Sequence, residues 1–195
     1  MSNSKENLFL DLGLESELQF LKRDSFSKAF KKNYLADISR NFNSAFNKPT
    51  LSPLEASLLC VGASLNSQNQ FLVNLFTTLA KESRATEEEI AETLTCTSLM
   101  ATNNVLFRFK HAVDNETYKS IPAGIRMSIK LNPLLGTEFY EILSLVISSI
   151  NGCTACINEH ESHAIKAGAT EQKISDAIRL GAIVHGLSVV LSYKK

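Results

Sequence analysis

The chain has 195 residues, 44% of them apolar, and its 20 basic and 20 acidic side chains cancel to a formal charge of zero. That length and apolar share suit one globular domain, or two small helical halves sharing a core. No Lys/Arg cluster is interleaved with aromatics, so a surface that follows a nucleic-acid backbone is not expected.

Residues 1–18 mix Lys5, Glu6, Asp11, Glu15 and Glu17 into their apolar positions and lack the uninterrupted apolar core of a secretion signal. No later stretch reads as the run of roughly 18 apolar residues that a membrane span needs. The expectation is a cytoplasmic protein that does not enter a membrane. Residues 1–20 read as a loosely held extension with one short apolar patch, Leu8 to Leu14.

Over residues 31–46, Leu35, Ile38, Phe42 and Phe46 recur at three- and four-residue steps and predict one apolar helical face, ended by Asn47-Lys48-Pro49. Ser52-Pro53-Leu54-Glu55 then predicts a helix start, with Ser52 as N-cap, Pro53 in the first turn and Glu55 closing a capping box. That helix is expected to run through Leu65.

The second half echoes the first. Residues 55–74 can be laid on 141–160, which sets Glu55 on Glu141, Ser67 on Cys153, Gln70 on Cys156 and Asn74 on His160. After a two-residue adjustment Ala85-Thr86-Glu87 falls on Ala169-Thr170-Glu171. Only the second copy carries thiols at these positions. Cys60 and Cys96 fall on the apolar Val146 and Leu180, which predicts buried structural thiols. Between the copies, residues 114–133 carry Pro122, Gly124 and Pro133 and read as a connector with one short helix and no visible chemistry.

Leu143, Val146, Ile147 and Ile150 predict a helix that ends at Asn151-Gly152, so Cys153 begins the next one. Unpaired N–H groups at a helix start stabilise a thiolate. Within that helix Cys153, Cys156 and His160 are spaced to share one face. A close cysteine pair in a chain too cysteine-poor for a disulfide scaffold points to redox or metal chemistry. A thioredoxin fold would need a strand before the motif and a proline after it, and all four prolines precede the cysteines. A structural zinc would need a fourth ligand that no second CxxC supplies. The pair therefore reads as a thiol redox site without a metal or bound cofactor.

The pattern E-x11-C-x-x-C-x-x-x-H over residues 141–160, together with Ser149-Ile150-Asn151-Gly152-Cys153, resembles the alkyl hydroperoxide reductase D (AhpD) family of the carboxymuconolactone decarboxylase-like superfamily. Tyr34-Leu35-Ala36-Asp37-Ile38 is similar to the family's first helix, and Met100-Ala101-Thr102-Asn103-Asn104-Val105 to its M-x-x-N-N-V segment. Ala182-Ile183-Val184 before Gly186 is similar to its closing helix.

The resemblance implies an all-α fold with an internal two-fold helical repeat. The implied organisation is an N-terminal extension and first helix over 1–30 and an AhpD-like domain over 31–195, with pseudo-repeats over about 52–110 and 138–195. It implies a homotrimer with alkylhydroperoxidase and disulfide reductase activity. Electrons would come from the dihydrolipoyl group on the lipoyl domain of a dihydrolipoyl acyltransferase and could pass to the peroxiredoxin AhpC.

By the same resemblance Cys156 would be the thiolate that attacks the alkyl hydroperoxide, Cys153 the thiol that closes the disulfide, and Glu141 and His160 a proton relay. Helix-terminus electrostatics alone favours Cys153 as the more acidic thiol, whereas Cys156 has His160 as its i+4 neighbour. The chain departs from close AhpD relatives at Ala155, where they often carry a histidine between the cysteines. His163, a turn beyond His160, is either a solvated surface residue or a substitute for it. Glu141 has a plainer reading as the first-turn carboxylate of its helix. His185 reads as a packed or partly exposed helix residue and His111 as surface. Two other functions fit the motif: a decarboxylase-like enzyme acting on a small acid, which would not need the cysteines, and a non-enzymatic redox sensor.

Overall fold

A computed structural model describes residues 7–19 and 33–193. Among these residues the fold is all-α, with no strand. In chain order the helices are α1 (Leu8–Asp11), α2 (Leu14–Glu17), α3 (Leu35–Phe46), α4 (Pro53–Asn66), α5 (Gln70–Glu82), α6 (Glu87–Ala112), α7 (Glu116–Ser120), α8 (Thr137–Ile150), α9 (Thr154–Lys166) and α10 (Glu171–Ser192). A 3-10 turn, Ser128–Leu131, lies between α7 and α8. Lys31 and Lys32, at the start of the first expected amphipathic helix, lie outside the described residues, as do residues 20–30.

Local chemistry sets most of the boundaries. Ser52 caps α4 through the expected box: its hydroxyl accepts from Glu55 N–H at 3.2 Å, and Glu55 accepts from Ser52 N–H at 2.7 Å. Thr86 and Glu89 repeat the box at α6. Leu35, Ile38, Phe42 and Phe46 are buried on one face of α3, which ends at Asn47.

α4 and α8 form the centre. α4 is buried from Ala56 to Ser64 and α8 from Phe139 to Ser148, so both are enclosed on every side. They pack on each other and on α6 and α10. Two glycines permit the close approaches: a Cβ on Gly62 would lie 2.7 Å from Leu143 Cδ1, and one on Gly181 would collide with Val146 Cγ1.

The helices of the second half begin 84 residues after their counterparts, Thr137 after Pro53, Thr154 after Gln70 and Glu171 after Glu87. At that step Ser57, Asn69, Leu72 and Phe76 correspond to Glu141, Cys153, Cys156 and His160. The residue matching of the sequence differs from this by two positions because similar apolar residues fit either register of a fully buried helix.

Two expectations are corrected. The N-terminal apolar patch is not loosely held: Leu8, Phe9, Leu14 and Leu18 are buried in the core, and Phe9 meets the Phe42 ring edge-on at 6.0 Å between centroids. Asn43 clasps the segment by accepting from Phe9 N–H at 2.9 Å and donating to Asn7 Oδ1 at 2.9 Å. Phe9→Ala is expected to cost about 3–5 kcal/mol in denaturant unfolding, and a change under about 0.5 kcal/mol would show that this segment does not pack. The other is α10, whose most apolar window has a mean hydropathy of 1.5, enough by length and composition to cross a membrane. In the fold its Ile174, Ala177, Leu180, Val184 and Leu187 are buried, and it packs on α3, α4 and α8.

Candidate functional site

The turn between α8 and α9 builds the site. Cys153 N–H donates to Ser148 C=O at 3.1 Å and Gly152 N–H to Ser149 C=O at 3.2 Å, a Schellman closure in which Gly152 takes φ +69°. The chain reverses at once, and Cys153 is both the residue after that closure and the N-cap of α9. At the matching place in the first half the N-cap is Asn69, whose side chain accepts from Leu72 N–H at 3.1 Å. Cys153 makes no side-chain cap hydrogen bond, so the first N–H groups of α9 face a sulfur instead of an oxygen cap.

An amide cluster fixes this turn. Asn151 donates to Asn66 Oδ1 at 3.1 Å and to Asn104 Oδ1 at 2.9 Å, and accepts from Asn66 Nδ2 at 2.9 Å. Asn104 donates onward to Ser148 Oγ at 2.9 Å, and Arg108 donates to the Asn151 carbonyl at 2.7 Å. These residues come from α4, α6 and α8, so no local sequence pattern announces them.

Cys153 and Cys156 are joined in a disulfide with their Cα atoms 5.3 Å apart. They differ in access: Cys153 is 0% exposed, while Cys156 is 5% exposed and opens onto a recess of about 50 Å³. Met100, Phe107 and Met127 form the apolar walls of that recess, Asn103, Lys130 and Glu159 its polar edge, and His160 lies beside Cys156.

Glu141 and His160 meet where α8 and α9 run side by side. Glu141 Oε2 is 2.6 Å from His160 Nδ1, and both residues are buried. With Nδ1 engaged by the carboxylate, Nε2 is the ring nitrogen left for proton traffic. The plainer reading of Glu141 is corrected: α8 begins at Thr137, its first-turn carboxylate is Glu138, and Glu141 lies a turn further in. Burial pushes the Glu141 carboxyl up, but the His160 hydrogen bond and the charges of His160, Lys130 and His163 pull it down further, leaving it below the usual glutamate range.

The other Glu141 oxygen faces two more side chains, the Lys130 ammonium with Nζ at 3.7 Å and the His163 ring with Nδ1 at 3.7 Å. His163 is therefore only partly a surface residue: its side chain is half-exposed, but Nδ1 is buried and has no hydrogen-bond partner. Lys130 also lies 3.8 Å from Glu159. Lys130 and Met127 come from the connector, where the sequence shows no chemistry. The fold lays that segment across the thiol recess, and two hydrogen bonds hold its far end, from Leu134 and Leu135 N–H to the buried Glu92 carboxylate at 2.7 and 2.9 Å.

The remaining candidates fall outside the site. Cys60 and Cys96 are free and buried; burial raises both thiols, Cys96 to about 11, which keeps them protonated and unreactive at neutral pH. His185 is half-buried on α10 and its Nδ1 pairs with Ser67 Oγ at 2.9 Å, and His111 is exposed.

The Carboxymuconolactone decarboxylase family model matches residues 120–193, a span that holds most of the connector, the cysteine pair, Glu141 and His160. A protein of Methylobacterium sp. (strain 4-46) named alkyl hydroperoxide reductase AhpD is 35% identical over 158 residues, 81% of this chain and 89% of the relative. Proteins of the same name from Rhodopseudomonas palustris (strain BisB18) and Coxiella burnetii are 32% and 31% identical, over 80% and 81% of this chain and 86% and 90% of their own lengths.

Proposed function

The chain belongs to the AhpD family of the carboxymuconolactone decarboxylase-like superfamily, and from that premise and the site geometry we propose a thiol-dependent alkylhydroperoxidase and disulfide reductase centred on Cys153 and Cys156. The observation that carries the reading is the shared recess of Cys156 and His160, with Cys153 behind it and Glu141 holding the imidazole.

The cycle starts from the dithiol. The Cys156 thiolate attacks the distal oxygen of the hydroperoxide, the O–O bond breaks, and the departing alkoxide takes a proton through His160 to leave as an alcohol. Cys156 is then a sulfenic acid. Cys153 sulfur attacks Cys156 sulfur, its proton and the sulfenic hydroxyl leave as water, and the disulfide closes. A dihydrolipoyl group on a carrier protein restores the dithiol by two successive thiol–disulfide exchanges and ends as its own cyclic disulfide. No bound cofactor or metal takes part.

Access supports Cys156 over Cys153 as the attacking thiol, in spite of the helix-start argument. A peroxide or an incoming dithiol meets Cys156 at the recess, whereas Cys153 lies behind it with no exposed surface. The i+4 imidazole supports the same choice. Lys130 counters the Glu141 charge, and the His163 ring lies beside the same carboxylate, in a chain that has Ala155 between its cysteines.

The proposal extends to a cytoplasmic homotrimer that reduces the peroxiredoxin AhpC and draws electrons from the lipoyl domain of a dihydrolipoyl acyltransferase. A donor panel tests the core of it. Consumption of an alkyl hydroperoxide by catalytic amounts of the chain is expected with dihydrolipoamide and to be far slower with glutathione. No consumption above the donor's own background with any dithiol would overturn the reading.

A further inference from the structure

The Asn103-Asn104 pair on α6 divides its work in a way that the cycle above does not use. Asn104 is fully engaged: it donates to Ser148 Oγ and accepts from Asn151 Nδ2. Asn103 is not. It is 5% exposed and its Nδ2 donates to the weakly accepting Met127 sulfur at 3.1 Å, while its Oδ1 is buried without a partner. A buried carbonyl oxygen left unpaired is costly enough that such groups are rare in folded proteins, and those that persist at a site commonly await a donor.

Asn103 belongs to the wall of the recess into which Cys156 and His160 open, a recess otherwise walled by Met100, Phe107 and Met127. A molecule that enters beside the thiol can supply the donor missing from this wall. An alkyl hydroperoxide carries one O–H, on the oxygen that the sulfur attacks.

We infer that Asn103 is a substrate-binding residue whose Oδ1 accepts the hydrogen bond of the hydroperoxide O–H and so aims the distal oxygen at Cys156. This rests on the peroxidase reading above. The balance is simple, because the hydrogen held by Asn103 is not transferred. When the O–O bond breaks, the distal oxygen keeps it and becomes the sulfenic hydroxyl, while the alkoxide is protonated separately through His160. Asn103 thus accepts from the same O–H before and after the step, until Cys153 attack releases that oxygen as water. A dialkyl peroxide, with no O–H, gains nothing from the contact.

The two half-reactions separate this role from a structural one. The rate constant for oxidation of the reduced chain by an alkyl hydroperoxide, and that for reduction of its disulfide by dihydrolipoamide, are measured by rapid mixing. Wild type is compared with Asn103→Ala and with Asn103→Leu, which keeps the volume and the support behind Met127. Oxidation is expected to slow by roughly 10- to 100-fold in both variants while reduction changes by less than about twofold. Oxidation at the wild-type rate in both variants, or an equal slowing of both half-reactions, would overturn the assignment. If wild type itself is not oxidised by hydroperoxide, the peroxidase reading fails; if wild type is oxidised and both variants match it, the Asn103 assignment alone fails.

Discussion

Cys156→Ser is expected to reduce hydroperoxide consumption to background with every donor, and Cys153→Ser to stop after one peroxide per chain. The asymmetry follows from the site: Cys156 is the sulfur that opens onto the recess, while Cys153 lies behind it at the start of α9. Serine at 156 removes the nucleophile; Cys153 has no exposed surface from which to replace it, and outside the site Cys60 and Cys96 are buried thiols raised well out of the reactive range. Serine at 153 leaves the first step intact but removes the thiol that closes the disulfide. Quench-flow counting of alcohol product per chain distinguishes the two variants. Multiple turnovers in Cys156→Ser, or equal and complete loss in the two variants, would reverse the assignment.

Glu141→Gln is expected to lower kcat by about 100-fold or more, because it removes the charge that anchors His160 Nδ1 and stabilises the imidazolium formed during proton transfer. The same substitution has a signature in stability. The Glu141 carboxyl lies below its ordinary range in the folded protein, so the unfolded chain binds its proton first as the pH falls. Its contribution is fully present above the unfolded glutamate value of about 4.3 and is lost as the pH falls through the lower folded value. Wild type should therefore lose stability across that acid window, and Glu141→Gln should lose less. Urea unfolding midpoints at pH 7 and across pH 3–5 check this, with parallel pH curves for the two proteins counting against a buried Glu141–His160 pair.

The parts of the site that the sequence discloses are those governed by local rules. Asn151-Gly152 marks a turn because glycine takes the positive φ that closes α8, and Cys153 must then begin α9. The i+3 and i+4 spacings carry Cys156 and His160 to the same face. Glu141 is different, since its partner lies 19 residues away and only resemblance to the family points to it. Met127 and Lys130 are illegible because a connector's chemistry depends on where the fold lays it. Asn103 stands in a segment that matches a family pattern, yet nothing local separates it from Asn104; only their different partners do.

The fold divides in the same way. α3 and α4 are readable from periodicity and a capping box, whereas α1 and α2 have four residues each, too few for a helical period to register. α1 is held by Phe42 and Asn43 from across the chain. Along the sequence α10 does not read as membrane-like because charged and polar residues interrupt its apolar positions, and in the fold Ile174, Ala177, Leu180, Val184 and Leu187 are core.

The most direct measurement of the central claim is chemical. Reduced Cys153→Ser protein is given one equivalent of alkyl hydroperoxide with a sulfenic-acid trap such as dimedone, and the adduct is mapped by peptide mass spectrometry. A single adduct on Cys156 is expected, absent without peroxide. No adduct, or an adduct on Cys60 or Cys96 in place of Cys156, would contradict it.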